Sequence, residues 1–188
     1  MRISWDGLHA DIEACQRCGL CDGIHHKVPG QGDPKARLML IGEGPGADED
    51  LSGFAFVGKA GQLLTKMLAA IDLSRDQVFI CNVVKCRPPQ NRVPTPEEAE
   101  ACLPYLRAQV GLVRPKVVIL LGATAVRYTL GENVRVTRDR GRFFEKGGVW
   151  FMPTYHPAAL LRDESKKRAA WQDLKAVRDK LKELEGEA

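Results

Sequence analysis

The six cysteines are the residues whose type and spacing most directly suggest chemistry. Cys15, Cys18 and Cys21 form a CxxCxxC run, and Cys86 and Cys102 follow later with fifteen residues between them. Disulfides are uncommon inside cells, where closely spaced cysteines favour metal ligation. Because four thiolates suit zinc as well as iron, the cysteines predict a metal site without naming the metal.

Polar side chains also follow segments that we predict to be strands. The glycine-rich, acidic segment 42–58 follows one strand, Asn82 lies near the end of a strand predicted at 78–84, and His156 follows a strand predicted at 149–154. Ligands of parallel α/β sheets bind beyond the carboxyl ends of the strands. We therefore expect these segments to meet at one edge of a sheet.

Apolar runs and turn signals alternate along the chain. They predict strands at 38–41, 78–84, 117–121 and 149–154, a hairpin partner at 142–145, and helices at 8–14, 60–71, 96–113, 123–130 and 166–185. This alternation predicts a three-layer α/β/α sandwich around a central, mainly parallel four-stranded sheet. Since no linker or repeat interrupts it, we expect residues 1–188 to form a single domain with an N-terminal cysteine-containing segment.

Charge and hydropathy indicate the cellular location of the protein more clearly than the kind of partner that it binds. The net charge is +4, and basic residues gather at 85–92, 135–142 and 162–168, a pattern that suits nucleic acid but is also typical of a solvated face. Residues 1–16 include three acids and no continuous apolar stretch, and the apolar run 117–126 is too short to span a bilayer. We expect an intracellular, cytoplasmic protein that does not insert into membranes.

Two segments nearly match nucleotide-binding motifs. Residues 42–47 satisfy GxGxxA, but we predict that the loop continues through the acids at 48–50 and does not open into a phosphate-binding helix. Residues 53–60 resemble a P-loop without its final Ser or Thr, which would bind magnesium. We therefore expect neither nucleotide site, although Lys59 at a helix start is suited to bind a DNA phosphate.

Three separated segments carry a resemblance to a known family. They are GEGPGADED…FVGKAGQLL (42–64), CNVVKCRPPQNRVPTPEE (81–98) and YHPAALLR (155–162). In this order, and with the cysteines, they resemble the iron–sulfur, or family 4, branch of the uracil-DNA glycosylase superfamily. The resemblance implies a monofunctional enzyme of base excision repair, which hydrolyses the N-glycosidic bond of a flipped-out deoxyuridine and leaves an abasic site. It implies uracil-containing DNA, single- or double-stranded, as the partner, and we expect a monomer.

The resemblance assigns uracil recognition to particular residues. The amide of Asn82 would donate to uracil O4 and accept from N3–H, a pattern that cytosine reverses. Phe56 would stack on the base, and Glu43 would crowd C5 and so exclude thymine, with Gly42 and Gly44 completing the binding segment. Without the flanking motifs, these residues would be interpreted as a strand-end cap, a core aromatic and a loop acid. The neighbouring Phe54 is expected to be core.

The resemblance also implies two catalytic groups. His156 would stabilise the negative charge that develops on uracil O2, and the sequence leaves its protonation state open. Glu49 is the candidate for orienting water and stabilising a cationic sugar, with Asp48, Asp50 and Glu43 as alternatives. A mechanism without any strong base also stays open.

The residues expected to contact DNA are Lys59, Arg87, Leu160, Leu161 and Arg162. Either leucine could fill the space that the flipped nucleotide leaves, although both could equally pack the last helix. Arg162 and the basic residues at 166–168 would lie near phosphates.

The family pattern of cysteines implies a structural [4Fe–4S] cluster held by Cys15, Cys18, Cys86 and Cys102. In an alternative set, Cys21 replaces Cys18. Cys81 lies inside a predicted strand, where we expect an inert core thiol.

Two other classes of function account for parts of the sequence. A nucleic-acid-binding module without catalysis would explain the basic clusters and the cysteines, but not the convergence of Asn82, Phe56 and His156 at one sheet edge. A zinc hydrolase needs an open coordination position and a redox protein an exposed reactive pair, and the resemblance supplies neither.

Overall fold

The computed structural model describes residues 4–186 of the chain. The strands are β1 (Gln31–Gly32), β2 (Leu38–Gly42), β3 (Phe79–Asn82), β4 (Val117–Leu121), β5 (Phe144–Lys146) and β6 (Val149–Thr154). The helices are α1 (Trp5–Glu13), α2 (Ala47–Ser52), α3 (Lys59–Ala69), α4 (Pro96–Val113), α5 (Ala123–Leu130), α6 (Val136–Asp139), α7 (Pro157–Arg162) and α8 (Lys167–Gly186). No helix within this described range is long and apolar enough to cross a membrane.

The strands form one sheet in the order β1-β3-β2-β4-β6-β5. The four central strands are parallel, and β1 and β5 pair antiparallel at the two edges. The prediction of a mainly parallel α/β sandwich is confirmed, but the count of four strands is wrong. One added strand, β5, lies where the sequence predicts a hairpin partner at 142–145, which the count of four leaves out. The other, β1, contains two residues, too few to show a hydrophobic pattern, and is held by the exposed backbone of β3.

Successive side chains of the central strands enter two different cores, because side chains alternate across a sheet. In β4, Val118 and Leu120 pack with α1, α4 and α5, which together form the α4 face. Ile119 and Leu121 pack with α3, α7 and α8, which form the α3 face. The sheet is therefore covered by helices on both faces, as the alternating sequence predicts.

The same alternation at the end of β3 separates two neighbouring residues. Cys81 packs on the α4 face, whereas Ile80 packs on the α3 face. Asn82, two residues beyond Ile80, is the last residue of β3 and pairs in register with Gly42. The strand is thus shorter than the predicted 78–84, and it ends at the residue that the sequence singles out.

A short helix, α2, lies within the segment that we predict as a continuous loop, so that prediction is wrong. Gly46 is its N-cap, and the carboxylate of Glu49 accepts a hydrogen bond from the Gly46 N–H at 3.0 Å. Gly53, in the left-handed conformation, ends the helix. Even so, the start of α2 is unsuited to a pyrophosphate, because its first turn holds three acids and one of them occupies the N-terminal N–H.

The start of α4 forms as the sequence predicts. The Thr95 hydroxyl accepts from the Glu98 N–H at 3.3 Å, and the Glu98 carboxylate accepts from the Thr95 N–H at 2.8 Å, with Pro96 in the first turn. Arg92 pairs with the same carboxylate at 2.6 Å. This cap sets the beginning of the helix that carries Cys102.

Candidate active site

Gly42, Phe56, Asn82 and His156 lie together beyond the carboxyl ends of the parallel strands. The rings of Phe56 and His156 are 5.5 Å apart between centroids and inclined by 31°. A Cβ atom on Gly42 would overlap both Oδ1 of Asn82 and the ring of Phe56. Glycine is therefore required at this position for the amide and the aromatic ring to approach each other.

The amide of Asn82 is buried with an unused acceptor. The residue is 1% exposed, and its Oδ1 has no hydrogen-bond partner among residues 4–186. Leaving a buried acceptor unpaired costs about 1–3 kcal/mol. An oxygen kept in this state is suited to accept a hydrogen bond from a bound ligand.

His156 is neutral, and its tautomer follows from a backbone contact. It is the N-cap of α7, and its Nδ1 accepts a hydrogen bond from the Ala158 N–H at 3.1 Å. Burial lowers the pKa of His156 to about 4, and the charge of Arg162 acts in the same direction against that of Glu49. With Nδ1 as the acceptor, the ring proton belongs to Nε2, which is then the donor.

Glu49 is buried and holds the segment that carries Phe56. Its Oε1 accepts from the N–H groups of Val57 and Gly58 at 2.8 and 2.9 Å, and its Oε2 accepts from Gly46. An ionised carboxylate has about four acceptor positions, so three N–H donors leave room for one more. The carboxylate is thus fixed in place and can still orient a water molecule.

The alternative acids are engaged differently. Asp50 is buried, and its carboxylate accepts from the His25 N–H at 2.9 Å and contacts Nδ1 of His25 at 2.8 Å. Burial acts to raise the pKa of Asp50, but the hydrogen bonds from His25 lower it below its ordinary value. Glu43 is hydrogen-bonded to the hydroxyl of Thr124, and Asp48 is exposed. Asp50 therefore joins α2 to the segment after the first cysteines.

The backbone of Phe56 is held in a strained conformation. Its φ is 54°, in the left-handed region that non-glycine residues rarely adopt. The Gln31 amide brackets the preceding residue, donating to the Ala55 carbonyl at 2.7 Å and accepting from the Ala55 N–H at 2.8 Å. Arg75 donates to the same carbonyl at 2.7 Å. The sequence carries no sign of these contacts, because Gln31 and Ala55 are far apart along the chain.

Phe54 contradicts the expectation that it belongs to the core. Its side chain is 58% exposed, whereas that of Phe56 is buried. Since Phe54 and Phe56 lie on either side of one residue in an irregular segment, the sequence alone could not tell which one faces inwards.

The two candidate wedge leucines differ in exposure. Leu160 is 2% exposed and packs into the core of the α3 face, so it is a packing residue and not a wedge. Leu161 is 45% exposed. The structure therefore leaves Leu161 as the residue of this pair that is free to enter DNA.

The basic clusters divide into free and paired charges. Lys59 and Arg162 are exposed and have no ion-pair partner within residues 4–186. Lys166 and Lys167 pair instead with acids of their own turn, and Arg87 donates to the Asn91 side chain at 2.8 Å.

The cluster at 135–142 is largely structural. Arg138 and Arg142 pair with the buried Asp139 at 2.9 and 3.4 Å. Arg140 pairs with the buried Asp173 of α8 at 2.8 Å. These arginines stabilise the fold, and this cluster is a poor candidate for a DNA-contacting surface.

Five cysteines line one cavity on the α4 face: Cys15, Cys18, Cys21, Cys86 and Cys102. Burial, together with the neighbouring thiols of Cys102 and Cys18, raises the pKa of Cys86 to about 12. Burial also raises the pKa of Cys81, which is fully enclosed in β3. Because metals bind thiolates, a metal held by Cys86 would have to displace its proton.

The donor set of this cavity fits an iron–sulfur cluster, whose thiolates are spread over several iron atoms. Within residues 4–186, no three His, Cys, Asp or Glu side chains are spaced as ligands of a single ion. The thiol of Cys21 donates to the Cys18 carbonyl at 3.2 Å and so already has a partner.

The family model described as the uracil DNA glycosylase superfamily matches residues 29–175. The chain belongs to the uracil-DNA glycosylase superfamily. The matched range includes Asn82 and His156, and it begins after Cys15 and Cys18.

Individual relatives place the chain more closely within the superfamily. A type-4 uracil-DNA glycosylase of Thermotoga maritima is 42% identical, with 91% of each chain covered. One of Archaeoglobus fulgidus is also 42% identical, over 93% of this chain and 92% of the relative. A type-5 uracil-DNA glycosylase of Pyrobaculum aerophilum is 37% identical over 71% of this chain and 66% of its own length. The resemblance to the type-4 family is thus confirmed.

Proposed function

We propose that this chain is a uracil-DNA glycosylase, which hydrolyses the N-glycosidic bond of deoxyuridine in DNA, releases uracil and leaves an abasic site for base excision repair. The observation that carries the proposal is the buried, unpaired Oδ1 of Asn82 beside the Phe56–His156 ring pair. Membership of the superfamily and the type-4 relatives support the same activity.

Uracil recognition rests on the amide of Asn82. Its Oδ1 accepts the hydrogen bond from uracil N3–H, and its NH₂ group donates to O4. Cytosine has no N3–H and carries an amino group at C4, so both contacts would fail and buried groups would be left unpaired. Phe56 stacks on the base, and Glu43, held by the Thr124 hydroxyl, crowds C5 against the methyl group of thymine.

Cleavage draws on the neutral imidazole of His156. As the bond between N1 and C1′ breaks, its electron pair moves onto the departing base, and negative charge builds up on O2. The Nε2–H of His156 donates a hydrogen bond to that oxygen. This interaction is worth about 3 kcal/mol when the position of the donor is fixed before the reaction. Since Nδ1 already accepts from Ala158, the ring needs no rearrangement during the reaction.

Glu49 acts on the sugar side of the bond. Its carboxylate, held by three backbone N–H groups, stabilises the cationic sugar and orients the water whose oxygen bonds to C1′. The proton that this water loses is accepted by the carboxylate and then passes to solvent. Uracil leaves as its anion, bound to the His156 donor.

We propose a [4Fe–4S] cluster at Cys15, Cys18, Cys86 and Cys102. When bound, the group supplies a rigid cross-link between its four cysteines, and its role is structural. The N-terminal segment is also tied to α2 through His25 and Asp50, beside Glu49. The cysteines therefore help to hold the chain around the site without taking part in the reaction.

The proposed DNA contacts surround this site. Lys59, Arg87 and Arg162 bind phosphates, and Leu161 fills the space left by the flipped nucleotide. The protein acts as a monomer, as a single domain, on uracil in single- or double-stranded DNA.

A single-turnover assay tests the proposal. Oligonucleotides that carry one uracil, thymine or cytosine are incubated with excess protein and then treated with alkali, which cleaves at abasic sites. Cleavage at uracil alone, reduced to a slow residual rate in Asn82→Ala, is the expected result. Binding without any cleavage by the wild-type protein would instead favour a nucleic-acid-binding module.

A further inference from the structure

Lys85 is a fully buried lysine that the proposed chemistry does not use. It is 1% exposed and is the largest of the fully buried side chains in residues 4–186. Its Nζ donates to the main-chain carbonyl of Asn82 at 2.6 Å and to Oε1 of Gln109 at 2.7 Å. Gln109 is also buried and donates to the Pro29 carbonyl at 2.6 Å. Burial of such a group is costly unless it is hydrogen-bonded, so the network needs a reason.

A buried ion pair does not provide that reason. No carboxylate of the described residues lies within 4 Å of Lys85, and its two hydrogen-bond acceptors are a carbonyl and an amide. The four buried acids make their own contacts elsewhere: Glu49, Asp50, Asp139 and Asp173. An apolar side chain of similar length would fill this volume at lower cost.

The geometry of Asn82 supplies the reason. Its Oδ1 must stay unpaired to accept from a ligand, so the protein cannot hold the amide through that atom. Asn82 is also the last residue of β3, and beyond it only the N–H groups of Val83 and Val84 still donate to the carbonyls of Gly42 and Glu43, at 2.9 and 3.1 Å. The orientation of the amide therefore depends on the main chain, and Lys85 holds that main chain by its carbonyl.

We propose that Lys85, braced by Gln109, is a positioning residue for uracil recognition: it fixes the main chain from which the Asn82 amide projects. This inference rests on the proposed function. Lys85 also lines the cysteine cavity of the α4 face, next to Cys86. The Lys85 side chain thus connects the α4 face with Asn82, the residue that recognises uracil on the opposite side of the sheet.

A double-mutant cycle between Lys85 and Asn82 tests the inference. Lys85→Met removes the donor and keeps most of the volume. In the wild-type background it should lower the single-turnover rate of uracil excision by about tenfold to a hundredfold, the scale expected for a misplaced contact group. In the Asn82→Ala background the same substitution should have almost no further effect, because the group that it positions is gone.

A merely structural lysine would behave differently. Equal fold losses in both backgrounds, or no loss in the wild-type background, would overturn the inference. Iron content and melting temperature are measured for each holoprotein. If Lys85→Met loses its iron or its fold, Gln109→Leu takes its place in the cycle, with a smaller loss that again vanishes with Asn82→Ala. Absence of uracil release by the wild-type protein would defeat the proposed function instead.

Discussion

The backbone N–H of Ala158 donates to Nδ1 of His156 over 3.1 Å, and this contact makes Nε2 the nitrogen that bears the ring proton. The first turn of α7 therefore sets the tautomer of the histidine that caps it. Because burial lowers the pKa of His156 to about 4, the donor is present as a neutral group throughout the neutral pH range.

The excision rate should therefore be insensitive to protonation of His156 near its ordinary pKa of 6.5. The rate should fall on this account only as the pH approaches 4, and His156→Ala should lose on the order of a hundredfold in rate together with that acidic limb. Single-turnover rates between pH 3.5 and 8 measure this. A histidine-dependent midpoint near 6.5 would contradict the assignment.

The same pKa has a consequence for stability. Between pH 6.5 and 4 the unfolded chain binds a proton at His156 that the folded chain does not. The free energy of unfolding should therefore include a contribution that is fully present above pH 6.5 and is lost as the pH falls to 4. Urea titrations of wild type and His156→Ala across this range isolate that contribution, which should be absent in the variant.

Glu49→Gln should lower the single-turnover rate by on the order of a hundredfold or more, since an amide is a poor base and stabilises a cationic sugar weakly. A lower melting temperature is also expected, because an amide NH₂ would face backbone N–H donors. Asp48→Asn, an exposed neighbour in the same helix, is the matched control and should retain its rate. Near-full excision by Glu49→Gln would remove Glu49 from the mechanism.

Cysteine substitutions should separate the two sets of cluster ligands. Cys18→Ser should lose iron and visible absorbance, while Cys21→Ser should keep both, because the family pattern of cysteines places the ligand at Cys18. Iron analysis of anaerobically purified protein measures the outcome. The reverse result would assign the ligand role to Cys21, and an iron-free, colourless wild-type protein would contradict the cluster itself.

Arg162→Ala should weaken binding to DNA of any sequence and reduce the slope of log affinity against log salt by about one. Arg127→Ala removes an exposed arginine that is paired with Glu132 and serves as the matched control. Binding isotherms at several salt concentrations decide this. An unchanged slope in Arg162→Ala would place Arg162 away from the phosphates.

Leu161→Ala should slow excision more in duplex DNA than in a single strand, since only the duplex needs its stacked space refilled when a nucleotide leaves. The two substrates are compared for the same variant, so each protein preparation serves as its own control. Equal losses on both substrates would argue against a wedge at this position.

The sequence predicts the parts of this fold that have local causes. The central strands are short apolar runs between turns, and the capping residues Thr95 and Glu98 predict the start of α4. The hairpin of β5 and β6 is predicted from its glycine turn. The edge strand β1 is too short for any pattern, and α2 lies in a glycine-rich segment whose Glu49 supplies the cap. These elements depend on contacts that form only after the sheet has assembled.

The candidate site divides in the same way. The three motifs name Asn82, Phe56 and His156, and the structure brings them together. The sequence does not predict the residues that hold them in place. The Gln31 side chain makes two hydrogen bonds to the backbone of Ala55, and Lys85 donates to the Asn82 carbonyl and to the Gln109 side chain. Gln31 and Lys85 are each 24 residues from a partner, and no periodicity or motif marks such a pair.

Cys81 and Asn82 are adjacent in the chain, yet Cys81 packs in the core of the α4 face, whereas the side chain of Asn82 belongs to the opposite side of the sheet. A slip of one residue along β3 would send every side chain to the wrong side. A single-residue insertion or deletion in β3 would therefore misplace side chains on both faces of the sheet, even if every residue type were kept. The protein should therefore tolerate an apolar substitution within β3 better than a change in the length of the strand.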